Sequence, residues 1–130
     1  MDDLAFVREH IPEYGDYSDE TSRHETDEYL RAYVGERLSA VRDRFEGKLD
    51  ERAQKTLDEL ILRCQFTDQV FIRWIDRARL DPSAVAHLVQ IDRSIVELAD
   101  RAAVAAAPEL GELFDQLDIA FESRREHLPA

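Results

Sequence analysis

Asp68 is the residue whose type conflicts most with its position. It falls between Cys64, Phe71 and Ile75 at helical spacing, on what is otherwise an apolar stripe. A carboxylate facing a core must be paired, hydrogen-bonded, or neutralised by an upward pKa shift, because a bare buried charge is expensive. Arg37, near the apolar stripe of the preceding helix, is the first partner to expect; Thr67 adds a hydroxyl, and Asp92 flanks the stripe of the helix that follows. The expected outcome is a buried ion pair that fixes register. The alternative is a polar pocket that holds a small ligand through Asp68, Arg37 and Asp92. A helix bend would instead leave Asp68 exposed.

The remaining reactive side chains offer less chemistry. Cys64 lies one turn from Asp68, but no His is near it in sequence, and burial in an apolar stripe raises a thiol pKa. The ferritin-like di-metal site needs Glu-x-x-His twice, and none of His10, His24, His87 or His127 follows a Glu by three residues. Hemerythrin-like proteins carry His-x-x-x-Glu and His-x-x-x-x-Asp among five histidines. Only the fragments His24 to Glu28 and His87 to Asp92 occur here, without the intervening His-x-x-x-His. No metal site and no cofactor are therefore expected. Asp19, Glu20, Glu25, Asp27 and Glu28 lack the loop spacing of an EF-hand. No glycine-rich phosphate loop or serine triad is legible, so an enzyme is not the expectation.

Charge is uneven along the chain. The 130 residues carry a formal charge of -12, and residues 1–28 hold ten acidic side chains against Arg8 and Arg23. Such an end repels nucleic acid and anionic membrane, and it suits a basic protein partner or simple solvation. Tyr14, Tyr17, Tyr29 and Tyr33 stand among these acids, either packing the leader onto the rest or offering a recognition surface. The single cysteine gives no sign of an oxidising compartment, and the N-terminus lacks the basic head and apolar run of a signal peptide. A cytoplasmic location is expected.

These residues must be positioned by helices. Four Gly and four Pro are few for the length, and Ala, Leu, Arg and Glu dominate. A leader over residues 1–21, helical from Asp2 or Asp3 to about His10, is broken by Pro12, Gly15 and Asp16. Ser22 to Glu25 matches a capping box opening a helix to about Glu46, with Gly47 as its stop. Asp50 caps a helix running to about Arg79, and Asp81 with Pro82 starts another. Pro108 begins the last, whose stripe runs from Leu110 to Leu128. The expectation is one all-α domain over 1–130, an antiparallel up-down-up-down four-helix bundle with a short N-terminal leader.

The Asp50–Arg79 helix has two apolar faces. Leu57, Leu60, Ile61, Cys64, Phe71, Ile75 and Ala78 make one, and Leu62, Phe66 and Val70 lie roughly 180° away at about 100° per residue. That second face needs the leader or a second copy of the chain to cover it. The sequence thus points to a non-catalytic interaction module, a homodimer through Leu62, Phe66 and Val70, with a ligand- or metal-binding bundle around Asp68 as the alternative.

Overall fold

A computed structural model describes residues 2–126. Among them are α1 (Asp3–His10), a 3-10 turn (Glu20–Ser22), α2 (Arg23–Arg44), α3 (Glu51–Gln65), α4 (Gln69–Arg77), α5 (Pro82–Val104) and α6 (Ala107–Glu126). The described residues are all-helical, with six helices among them where four and a leader were expected. His127 and Leu128 lie outside the described residues.

Aspartates start many of these helices. Asp2, Asp50, Asp68 and Asp81 sit at the N-caps of α1, α3, α4 and α5, and each carboxylate accepts from an amide of the first turn. Pro82 follows Asp81 at the position where its missing N–H costs nothing. Ser22 is the N-cap of α2, but its hydroxyl makes no cap bond and donates instead to the Asp19 carbonyl. The expected capping box therefore marks the right place without supplying its hydrogen bond.

Helix C-termini are closed by arginines of α2. Arg31 donates to the Cys64 carbonyl at the end of α3, Arg23 to Ile75 and Ala78 at the end of α4, and Arg44 to Ala103 and Ala105 at the end of α5. A cation at that end satisfies orphan carbonyls and complements the helix dipole. One helix thus ties down three neighbours.

The long helix expected over Asp50–Arg79 is two helices. Phe66 takes an extended conformation (φ -118°, ψ 142°), and Asp68 Oδ1 accepts from the amides of Val70 and Phe71 to start α4. The break moves Asp68 off the core stripe while Cys64, Phe71 and Ile75 stay buried on either side of it. A cap interaction is cheaper than burying a carboxylate, which is why the break falls there.

In the packing, α2 contacts α3 and α5, while α6 contacts α3, α5 and α4. Leu30, Val34, Leu38, Leu57, Ile95 and Leu117 fill the centre with no exposed surface. Each such side chain contributes roughly 1.5–3 kcal/mol by its removal from water. The leader helix α1 packs on α5.

Candidate functional site

The structure sends the three residues of the expected polar pocket to three places. Asp68 pairs with Arg125 at 2.7 Å, not with Arg37. Burial works against its charge, but the Arg125 hydrogen bond and the Phe71 and Val70 amides outweigh it, holding the carboxyl below its usual pKa. Arg37 lies near the surface, donating to Tyr33 Oη at 3.1 Å and pairing with Asp100 at 3.4 Å. Asp92 alone is enclosed in the core, with no exposed surface. An Asp68→Ala replacement is expected to cost about 1 kcal/mol through the lost cap. Urea unfolding measures it, and Asp68→Asn, which keeps an acceptor at the cap, should retain most of the stability.

Asp92 organises a polar cluster that joins the leader to the core. Tyr14 Oη and Tyr17 Oη both donate to Asp92 Oδ2, at 2.6 and 2.5 Å. Arg124 from α6 donates to Tyr17 Oη at 2.6 Å and spans two carboxylates, 2.8 Å from Asp27 Oδ1 and 3.1 Å from Asp92 Oδ1. Those two Oδ1 contacts are held by charge, since neither is aligned as a hydrogen bond. Arg31 holds the other oxygen of Asp27 at 2.9 Å. Two arginines thus face two aspartates, and the formal charge of these four groups cancels.

Electrostatics within the cluster follow from its dryness. Burial raises the Asp92 pKa above the ordinary 3.8, against the pull of Arg124 and the two phenols. Burial likewise pushes Tyr14 and Tyr17 well above 10.0, and for both phenols the nearby Asp92 charge adds to the rise. Burial alone would lower Arg124; the Tyr17, Asp92 and Asp27 oxygens hold it well above the ordinary guanidinium value. Phe71 receives the guanidinium on its ring face at 4.0 Å, adding a cation–π contact.

The leader reaches this cluster through strained backbone. Asp16 and Tyr17 both have positive φ, 60° and 72°. Asp tolerates that conformation, but a tyrosine there costs of order 1–2 kcal/mol, offset here by the two hydrogen bonds its hydroxyl makes inside the core. Gly15 just before them is required by close approach: a Cβ would lie 2.8 Å from Thr26 Oγ1. Arg23 then clamps the Tyr17 carbonyl at 2.8 Å.

The sequence reading missed Asp27, Arg31 and Arg124. Asp27 and Arg31 form an i,i+4 pair resembling the surface pairs of any acidic helix, and Arg124 stands in a last turn where cations are ordinary. The available signal was Thr26, one turn before Leu30 and in line with Val34, which extends the inward face of α2 back to this point and is indeed buried.

The other sequence candidates fall out as follows. Cys64 is buried and its thiol is pushed up to about 12, chiefly by burial. His24 pairs with Asp76 at 2.7 Å in a half-exposed position, and His10 with Asp100 at 3.2 Å. Among the described residues no group of three or more His, Cys, Asp or Glu could hold a metal ion. Leu62, Phe66 and Val70 are 53, 66 and 44% exposed, flanking the α3–α4 break, and the leader that could have covered them is engaged on α5. Among the described residues no helix is long and apolar enough to cross a membrane.

The chain is an all-α protein with a buried polar clasp and an open apolar face. No family model matches it, and no curated protein or solved structure is significantly similar to it.

Proposed function

We propose that the protein is a non-catalytic helical interaction module that pairs with a second copy of itself through Leu62, Phe66 and Val70. The observation that carries this reading is the exposure of those large apolar side chains at neighbouring turns, in a chain whose other large apolar residues are mostly enclosed. In this reading α2, α3, α5 and α6 are the up-down-up-down four-helix bundle, and α1 and α4 are additions to it. The core polar groups are spent on one another: Asp92 and Arg124 are enclosed and ion-paired, an arrangement suited to holding the leader rather than to turning over a substrate.

Charge favours a second copy over an unrelated partner. Beside Leu62 on the surface of α3 lie Glu51, Asp58 and Glu59 with Lys55, Arg52 and Arg63 standing apart from them in ion pairs to α6, and on α4 lie the exposed Arg73 and Arg77, with Asp76 paired to His24. A twofold pairing centred near Phe66 brings the acidic end of one chain to the basic end of the other. A cytoplasmic setting suits the lone, buried Cys64. The acidic leader adds a surface for a basic partner, though its tyrosines Tyr14 and Tyr17 point inward.

Sedimentation velocity on the wild type and on Phe66→Glu tests the reading. The wild type is expected to sediment as a dimer and the variant as a folded monomer with unchanged helical circular dichroism. A monomeric wild type, or a variant that still dimerises, overturns it.

A further inference from the structure

A cleft lies between the leader and the start of α5, with Asp16, the neighbour of Tyr17, on its lining. It has a volume of about 470 Å³, a floor of Leu4, Leu80, Val85 and Val89, and a rim carrying Asp2, Asp3 and Asp16. That size is ordinary for a small-molecule site, which needs an apolar body and a few orienting polar groups. Among the described residues no lysine or arginine lines it. Each rim carboxylate uses Oδ1 within the chain: Asp2 on the Ala5 amide, Asp3 on Arg93, and Asp16 on the Ser18 amide.

We propose that this cleft binds a small organic cation with an apolar body, such as an alkylammonium, whose chain lies on the floor and whose charge meets the aspartate rim. Two features select that chemistry. The floor removes apolar surface from water, which rewards a hydrocarbon body but says nothing about its head. The rim decides the head: with Asp3 paired to Arg93 and Asp2 spent on the α1 N-terminus, the Asp16 carboxylate beside a low-dielectric wall attracts a cation and repels a carboxylate of the same chain length. Both helix N-termini at the cleft would favour an anion, but Asp2 and Asp81 already neutralise them as N-caps. The site is separate from the Leu62–Phe66–Val70 face, so it stands or falls independently of self-association.

Isothermal titration of the full chain with octylammonium, octanol and octanoate at low salt is the test, followed by amide chemical shifts. Octylammonium is expected to bind about tenfold or more tightly than either comparator, to shift the Val85 and Val89 amides, and to weaken as salt is added. Ala86→Trp places a large side chain at an exposed cleft position and is expected to abolish binding with the fold intact. Asp16→Asn keeps the turn acceptor while removing a charge, and is expected to weaken binding several-fold. Equal or tighter binding of octanoate, shifts located elsewhere, or binding unchanged by Ala86→Trp overturns the proposal. So does binding of a basic peptide with none of the alkylammonium.

Discussion

Replacing Arg124 with leucine is expected to destabilise the fold by about 3–5 kcal/mol, the range for breaking a buried ion pair from one side. The guanidinium is 2.8 Å from Asp27 and 3.1 Å from Asp92, and both carboxylates are without exposed surface. Leucine fills much of the volume but leaves two buried carboxylates to Arg31 alone, stranding the Asp92 charge, and takes the donor from Tyr17 Oη. Against a domain stability of about 5–15 kcal/mol, that loss approaches unfolding. Arg63→Leu is the matched comparison: Arg63 pairs with Asp118 and Glu122 near the surface, where such pairs contribute about 1 kcal/mol or less. Adding Asp92→Asn to Arg124→Leu is expected to recover part of the loss, because the stranded Asp92 charge disappears. Urea midpoints with their slopes measure all three. A loss for Arg124→Leu no larger than for Arg63→Leu would show that the cluster is not under electrostatic load.

How much of this was legible in the residues depends on the range of the interaction. Local signals worked: Asp50, Asp81 and Pro82 start helices where their chemistry says they should, and of the expected stripe Leu57, Leu60, Ile61, Cys64, Phe71 and Ile75 are buried, while Ala78, at the cap that ends α4, is half-buried. The α3–α4 break was not legible as a break because Phe66, Thr67 and Asp68 include no Gly or Pro, and the apolar period resumes almost in phase after it. Asp68 carried both meanings, an anomaly in a stripe and a good N-cap, and only the tertiary supply of Arg125 and Arg31 decides between them. The clasp was beyond reach for a different reason. Tyr17 and Arg124 are 107 positions apart, and nothing in either neighbourhood names the other. The tyrosines of the leader could be read as packing groups, but their shared acceptor could not be chosen from the sequence. Once they spend the leader on α5, the face at Leu62, Phe66 and Val70 is left open, which is the step from core chemistry to the proposed interface.

Raising the pH is expected to unlatch the leader and then the fold. Tyr14 and Tyr17 donate their only phenolic protons to Asp92, and both have folded pKa values well above the ordinary 10.0. A group raised on folding contributes stability that is fully present below its unfolded value and is lost as the pH climbs through its folded value. The loss therefore begins near the ordinary phenol pKa of 10.0. Each phenol then withdraws about 1.4 kcal/mol per pH unit above that point, so the two together remove about 3 kcal/mol per unit. The acid side gives no such clean limb: Asp92, raised by burial, favours the folded state at low pH, whereas Asp68, lowered by Arg125, favours it at higher pH. Tyrosinate absorbance and helical circular dichroism followed together through an alkaline titration check the prediction. Part of the tyrosinate signal is expected to appear only as helicity is lost, and Tyr17→Phe, less stable at neutral pH, is expected to show a shallower alkaline slope. Complete ionisation of all four tyrosines at the ordinary phenol pKa with helicity intact would mean that the phenol–Asp92 bonds do not hold the leader in place.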